Sequence, residues 1–257
     1  MILRTVNDDW WGISQTTHAW LAGQLARNWG NEYFAVPEPR VELLVAAELH
    51  DIGWTDWEQN PEINEKSGLP YNFLEMPLLK HIAIWKNGSD RVLSISRFVA
   101  WLVSCHNSYL LNFRDLDQEP DEVRIEAEAF LDEQKVLQNQ LIQSLLADKW
   151  YRPLLTEASM LKYQQLLRAW DYFSLVLCMG DSEENEIPVG GADRGQPPIT
   201  VKKDQKDFRY FVKPWPFNKD SLQVGCEAIK LRKQTEAELL SIKPEQFQLL
   251  EWELIPG

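Results

Sequence analysis

The stretch LHDIGW, from Leu49 to Trp54, places a histidine and an aspartate side by side at the end of an apolar helical pattern. Leu43 and Ala47 precede the pair at the spacing of one helix face, so His50 and Asp51 are predicted to point inward. An imidazole and a carboxylate buried among apolar side chains are costly unless a partner or a metal ion satisfies them. The stretch therefore predicts a buried polar site in a helical fold.

All four histidines of the chain fall into one ordered series with two aspartates. The series runs His18, His50, Asp51, His81, His106 and Asp171. Each member lies on an apolar face of a helical pattern, so several helices are predicted to direct ligands at one interior. A single histidine on such a face is more often a core residue hydrogen-bonded to a backbone carbonyl. The clustered series favours metal binding instead, and six nitrogen and carboxylate ligands suit a two-metal site.

The HD pair and the order of the histidines and aspartates resemble the HD-domain superfamily. The superfamily pattern runs His, His-Asp, further histidines and a late Asp, and LHDIGW looks like its signature. More closely, SQTTHAWLAGQLARNWG from Ser14, ELHDIGWTDWE from Glu48 and KPWPF from Lys213 resemble a bacterial HD-like family of unknown function. The resemblance extends from near the amino terminus to about Asn218, and it implies a helical metal-binding fold.

The resemblance also implies a ligand set. A first metal would be held by His18, His50, Asp51 and Asp171. Asp51 would bridge to a second metal held by His81 and His106, as in superfamily members with the full set of six ligands. The expected cofactors are divalent metal ions in a mononuclear or dinuclear site, with two ions favoured by the full set of six ligands. Imidazole and carboxylate ligands suit iron, manganese, zinc or nickel, and the sequence does not distinguish among them.

The function expected from the resemblance is a metal-dependent phosphohydrolase of the HD type, acting on a small phosphate ester or a nucleotide. Many phosphodiesterase-type members have a lysine directly after HDIG, where this chain has Trp54. This departure weakens the case for cyclic-dinucleotide hydrolysis. Two alternatives stay open at this point: an HD-type diiron oxygenase, which shares the six ligands, and a non-enzymatic regulatory or binding protein on the same scaffold.

Further site residues are candidates by their position near the series. The candidate catalytic residues are Asp51, Asp56 and Glu58, and the candidate substrate-binding residues are Trp54, Trp57, Lys80 and Arg168. A carboxyl group acts as a general acid or base if burial raises its pKa, whereas exposed loop carboxylates usually stay solvated. The tryptophans could equally cap the core. Lys80 and Arg168 could be ordinary surface charges whose apolar stems lie along their helices.

The rest of the pattern predicts a mainly α fold, an HD-domain-like helical bundle with a small C-terminal antiparallel β appendage. Helices are predicted for Ser14 to Trp29, Arg40 to Asp51, Met76 to Trp85, Asp90 to His106, Asp121 to Leu146 and Ser159 to Met179. Residues 1–180 would form the metal-binding core. Residues 181–257 would form a long irregular loop, from Asp181 to Pro198, followed by short strands that pack on the core as part of one structural domain.

Composition and charge narrow the partners. The chain has 257 residues and a formal net charge of −13, which argues against nucleic acid because binding to phosphate backbones requires clustered lysine and arginine. No segment reaches the roughly 18 apolar residues of a membrane span, and the amino-terminal sequence has no signal-peptide pattern. We therefore expect a cytoplasmic protein that contacts no membrane and binds a small-molecule substrate. The three cysteines are expected to be reduced, and a homo-oligomer stays open.

Overall fold

The computed structural model describes residues 1–6, 9–189, 197–205, 208–231 and 244–257. A layer of helices packs against a curled sheet. The helices are α1 (Gln15–Asn28), α2 (Arg40–Leu49), α3 (Thr55–Gln59), α4 (Leu78–Leu93), α5 (Arg97–Leu111), α6 (Asp121–Leu146) and α7 (Glu157–Met179). The strands are β1 (Ile2–Val6), β2 (Asp9–Ile13), β3 (Ile63–Asn64), β4 (Leu69–Pro70), β5 (Glu184–Ile187), β6 (Ile199–Lys203), β7 (Arg209–Lys213), β8 (Leu222–Leu231) and β9 (Phe247–Pro256).

The helices predicted from apolar periodicity occur, and side-chain caps explain several of their ends. The hydroxyls of Ser14, Ser96 and Thr156 accept hydrogen bonds from the first turns of α1, α5 and α7. Gly180 ends α7 in the left-handed conformation that glycine favours, with φ of 64°. Several predicted ends were wrong. α2 stops at Leu49, and Asp51 precedes a separate 3₁₀ turn, Ile52–Trp54. α4 continues past Trp85 to Leu93, and α5 begins after the Ser96 cap and ends at Leu111, so the helix predicted from Asp90 to His106 begins inside α4. Within the described ranges, none of the helices combines the length and apolarity that a bilayer crossing requires.

The predicted mainly α fold with a small antiparallel β appendage is wrong. Seven strands form one sheet in the order β1-β2-β8-β9-β7-β6-β5, and the sheet is mixed because β7 and β9 run parallel. Two of these strands, β1 and β2, come from the amino terminus and extend the sheet by pairing β2 with β8. A third, β5, lies inside the segment that was predicted to be an irregular loop, of which residues 190–196 lie outside the described part of the chain.

The sheet and the helices share one hydrophobic core, in which α1 lies against β8. The side chain of Gln24 on α1 pairs with the backbone of Gly225 on β8, donating to its carbonyl at 2.7 Å and accepting from its N–H at 3.1 Å. Trp29 at the end of α1 packs edge-to-face against Trp170 of α7. Burial of such large side chains dominates the stability of a core. The arrangement fixes α1 between the sheet and the helices that carry the other members of the His/Asp series.

Candidate metal centre

Five of the six predicted ligands converge at the centre of the helical layer. The five are His18 on α1, His50 and Asp51 directly after α2, His106 on α5 and Asp171 on α7. All are buried, with 1% to 7% of each residue exposed. Their ligand atoms form two overlapping groups, each within 4.8 Å, and His50 belongs to both groups.

The two carboxylates connect the three imidazoles. The two oxygens of Asp171 each lie 3.3 Å from a histidine nitrogen, Oδ1 from Nε2 of His50 and Oδ2 from Nε2 of His106. Oδ2 of Asp51 lies 2.8 Å from Nε2 of His18 and 3.7 Å from Nε2 of His50. The Nε2 atoms of all three histidines therefore face carboxylate oxygens across a common centre.

Hydrogen bonds on the far side of two rings fix their tautomers. The hydroxyl of Ser174 donates to the carbonyl of Asp171 at 2.8 Å, so it accepts from Nδ1 of His18, also at 2.8 Å. Nδ1 of His50 donates to the carbonyl of Ala47 at 2.9 Å. With a proton on Nδ1, the Nε2 atom of each ring faces the carboxylates, where a proton or a metal ion can lie between the nitrogen and the carboxylate oxygen. Such partners orient the histidines of metal sites.

Several polar atoms of this cluster have no hydrogen-bond partner among the described residues. They include Nε2 of His50 and both ring nitrogens of His106, although His106 is only 2% exposed. A buried polar atom without a partner costs about 1–3 kcal/mol. Lone pairs of imidazole and carboxylate that face one another need a proton or a metal ion between them. The mixed nitrogen and oxygen set fits a divalent cation such as zinc, manganese or iron.

The electrostatics of the cluster also favour positive charge. Burial lowers the pKa of His50, but the charges of Asp51 and Asp171 outweigh burial and raise this pKa to about 9. Burial raises the pKa of both carboxyl groups, yet the neighbouring histidines leave each pKa below its ordinary value. The carboxylates are thus held ionised around a point where a cation is stabilised.

His81 is set apart from the five. Its ring stacks on Trp85 at 5.1 Å between centroids and meets Trp54 edge-on at 5.2 Å. The guanidinium of Arg114 donates to Nδ1 of His81 at 2.8 Å. Burial and the charge of Arg114 lower the pKa of His81 to about 3, so the ring is neutral and its proton is on Nε2. This nitrogen therefore offers a donor rather than a lone pair for a metal.

Four of the five converging residues, all except His50, form the floor of a cavity of about 230 Å³. The cavity is lined by Gln15, His18, Asp51, Trp54, Phe73, Leu74, His81, Trp85, His106, Leu110, Phe113, Arg114, Asp171 and Leu175. Half of these side chains are apolar. Sequence reasoning missed Gln15 and Arg114. Gln15 carries a signal, because it follows the cap of α1 and precedes His18 by three residues, whereas Arg114 follows the end of α5 in a turn that has no motif.

The aromatic residues after the HD pair take different positions. Trp54 is buried and lines the cavity. Trp57 packs edge-to-face on Trp54 with 5.8 Å between ring centroids, and it is not among the residues that line the cavity. Trp54 thus forms a wall of the candidate site, and Trp57 supports that wall from behind.

The candidate catalytic residues Asp56 and Glu58 lie outside the cavity lining, and so do the candidate substrate-binding residues Lys80 and Arg168. Asp56 is exposed and forms an ion pair with Arg91, whose hydrogen bond lowers the pKa of the carboxyl. Glu58 accepts hydrogen bonds from the backbone N–H groups of residues 15 and 16 and so caps α1, and burial raises its pKa. Lys80 pairs with Glu62. Arg168 lies over the ring of Tyr109 at 3.5 Å and lines a separate cleft.

Comparison with known proteins gives one result. Residues 1–233 match the family described as "Protein of unknown function (DUF3891)". No curated protein and no solved structure matches the chain. The family covers the whole candidate metal centre and all strands except β9, and its description names no activity.

Proposed function

We propose that this chain, which belongs to the DUF3891 family, is a metal-dependent phosphohydrolase of the HD type that acts on a small phosphate ester. One observation supports the proposal above the others. Three histidines and two aspartates have buried ligand atoms that face one another, and four of these residues line a cavity whose wall carries Arg114. A metal ion held by carboxylate and imidazole ligands would stabilise the negative charge of a phosphoryl group, and a neighbouring guanidinium can form two hydrogen bonds with its oxygens.

The proposal assigns one metal ion to the five converging residues. Those residues are His18, His50, Asp51, His106 and Asp171. His50 belongs to both groups of ligand atoms, which supports a single centre over two separate ones. A divalent ion there would lower the pKa of a coordinated water and neutralise charge on a phosphoryl group.

The chain's own groups would orient the substrate and keep water out. Ser174 and the carbonyl of Ala47 accept from Nδ1 of His18 and His50 and so direct Nε2 of each ring at the carboxylates, where the metal ion would bind. His81 holds a proton on Nε2 beside the floor of the cavity, where it can donate to an oxygen of the substrate. The apolar walls reduce solvation inside the cavity, and electrostatic contacts are stronger there than in water.

The diiron oxygenase is less well supported than the hydrolase. A dinuclear centre of that type needs His81 as a ligand of a second metal. Arg114 donates to Nδ1 of His81, which leaves the proton on Nε2 and removes the lone pair that a metal would use. The position of Arg114 is therefore the observation that favours phosphate chemistry.

The test is the metal content of the purified protein, measured by mass spectrometry without added metal or chelator. We expect about one ion per chain in the wild type, none in His50→Ala and Asp51→Ala, and an unchanged ion in His81→Ala. The His81 variant is the matched control because it removes a buried imidazole from the same cavity. Hydrolysis of phenyl phosphate should follow the metal content of the two ligand variants.

Two results would contradict the proposal. Two ions in the wild type, falling to one in His81→Ala, would replace the single centre by a dinuclear one. Metal bound in the expected ratio, with no hydrolysis of any phosphate ester and with consumption of dioxygen, would move the chain to oxygenase chemistry.

A further inference from the structure

Gln15 places an unpaired donor in the wall of the cavity. The residue is 2% exposed, and its Nε2 has no partner among the described residues. The backbone N–H of Gln15 is held by Glu58, so this first residue of α1 has a fixed position. A buried amide without an acceptor is unfavourable, and the side chain lines the same cavity as His18 and Asp51. The missing acceptor is therefore expected to come from a ligand.

Arg114 places a cation in the same wall. It lies in the turn after α5 and is half-buried. Its guanidinium has five N–H donors, and the described residues provide it with one hydrogen-bond acceptor, Nδ1 of His81. The remaining donors suit the planar, bidentate recognition of a phosphate or a carboxylate.

The other walls of the cavity are apolar. Trp54, Trp85, Leu110 and Leu175 line its interior. Leu74 and Phe113 also line it, although 61% and 69% of these residues are exposed, as expected for its mouth. Apart from the indole N–H groups of Trp54 and Trp85, these side chains offer no donor or acceptor to a ribose or a row of phosphates. A volume of about 230 Å³ is also below the roughly 300–1,000 Å³ typical of sites for drug-sized ligands.

We infer that Gln15 and Arg114 anchor the phosphoryl group of the substrate, and that the substrate is a small phosphate monoester with an apolar, preferably aromatic, organic group. The inference rests on the proposed phosphohydrolase function and narrows it. Nucleotides are disfavoured because the cavity is small and the ribose hydroxyls and polar edges of the base would face mostly apolar walls. Gln15 and Arg114 are binding residues for the anion, and the metal ligands are separate from them.

The test is binding of phenylphosphonate, a non-hydrolysable analogue, to the metal-loaded protein by calorimetry. We expect Arg114→Met to weaken binding about 10- to 100-fold, because it removes hydrogen bonds to a charged group. Arg114→Lys should recover part of the loss by restoring the charge without the planar fork. Gln15→Leu should weaken binding about 10-fold or less. The control is Arg124→Met, which removes an exposed arginine paired with Asp121 on α6.

The metal content of every variant is measured, so that weaker phenylphosphonate binding caused by loss of the metal ion can be distinguished from loss of the contact with Arg114 or Gln15. Phenylphosphonate should also bind about tenfold or more tightly than methylphosphonate, since the ring buries apolar surface. Equal affinities for Arg114→Met and Arg124→Met, or tighter binding of adenosine monophosphate than of phenylphosphonate, would overturn the inference. Tighter binding of phenylacetate would assign the anchor to carboxylates and overturn it as well.

These outcomes are separable from those that test the hydrolase. If phenylphosphonate binds through Arg114 and phenyl phosphate is not hydrolysed, the proposed function fails while the anchoring role stands. If phosphate esters are hydrolysed and the Arg114 variants bind as the wild type does, the anchoring role fails and the hydrolase stands.

Discussion

Replacing Gly53 by alanine should destabilise the protein strongly, because the backbone of α4 occupies the space that a Cβ needs. A Cβ at position 53 would lie 2.1 Å from the carbonyl oxygen of Ile84 and 2.8 Å from the N of Gly88. Both atoms belong to the helix backbone, so no side-chain rotation relieves the overlap. Overpacking typically costs about 1–3 kcal/mol, and a backbone clash of this size is expected to cost about 3 kcal/mol or more.

Gly88 on α4, which faces Gly53 across this contact, provides the matched control. A Cβ at Gly88 would lie 3.3 Å from the N and 3.5 Å from the Cα of Gly53, which is tight but close to ordinary contact. Alanine in a helix interior is also favoured over glycine by about 1 kcal/mol. Gly88→Ala is therefore expected to change the free energy of unfolding by less than about 1 kcal/mol.

The assay is urea unfolding of the two variants and the wild type, followed by circular dichroism. The slope of the unfolding free energy against urea concentration is compared among the three proteins, so that a change in midpoint can be attributed to stability. Gly53→Ala should also bind the metal ion more weakly, since a shift of the 3₁₀ turn moves Asp51 relative to His18. Equal destabilisation by the two substitutions would show that the close approach of the turn to α4 is not what requires glycine. If Gly53→Ala unfolds at the same urea concentration as the wild type, the steric argument is refuted.

Three further predictions concern the metal centre and its surroundings. Ser174→Ala should weaken metal binding about 10-fold or more in a metal titration, since outer hydrogen bonds of this type are worth about 10- to 100-fold; unchanged affinity would show that the hydroxyl does not orient His18. Burial raises the pKa of Glu58 above its ordinary 4.5, so the protonated form stabilises the fold and this stability is lost as pH rises through the folded pKa. The melting temperature of Glu58→Gln minus that of the wild type should therefore increase as pH rises above about 4.5. A difference that stays constant across pH would contradict this. A chelator should lower the melting temperature by roughly 10 °C if the free metal had stood about 1,000-fold above its Kd, and no change would mean that the folded chain holds no ion.

The helices were predictable because local sequence determines them. Apolar residues recur at helical spacing, and Ser96 and Thr156 stand where a cap is needed. The same periodicity directed each ligand inward, and this is why His18, His106 and Asp171 could be expected to meet. Periodicity identifies a buried face of a helix, but it does not identify the neighbours of that face.

His81 shows this limit. It lies on the buried face of α4, as expected, and its neighbours are Trp54, Trp85 and Arg114 rather than the carboxylates of the centre. Arg114 comes from a turn after α5 that has no local motif. Only the packing of α4 on α5 places the guanidinium beside the imidazole, so the sequence could not show that His81 lies apart from the other five members of the series.

The sheet was underestimated for a similar reason. Strand β1 carries Arg4 on its buried side, where a charged residue hides the alternation that normally predicts a strand. The guanidinium is satisfied by the carbonyl of Leu177 at the end of α7, at 2.6 Å, and it lies over the ring of Phe208. Neither partner is near Arg4 in the sequence. The amino-terminal strands therefore depend on long-range contacts that no short window contains.

The segment that follows α2 connects the proposed metal centre to the cavity beside it. Asp51 belongs to the proposed ligand set, Gly53 allows the close approach to α4, and Trp54 forms a wall of the cavity. Glu58 caps the first turn of α1, which carries Gln15 and His18. A displacement of this segment would therefore change the ligand geometry and the position of the anion donor together. Gly53→Ala should then lower both the affinity for metal and the affinity for phenylphosphonate. Arg114→Met should lower the affinity for phenylphosphonate and leave the affinity for metal unchanged. This contrast would distinguish residues that hold the geometry of the site, such as Gly53, from residues that bind the anion, such as Arg114.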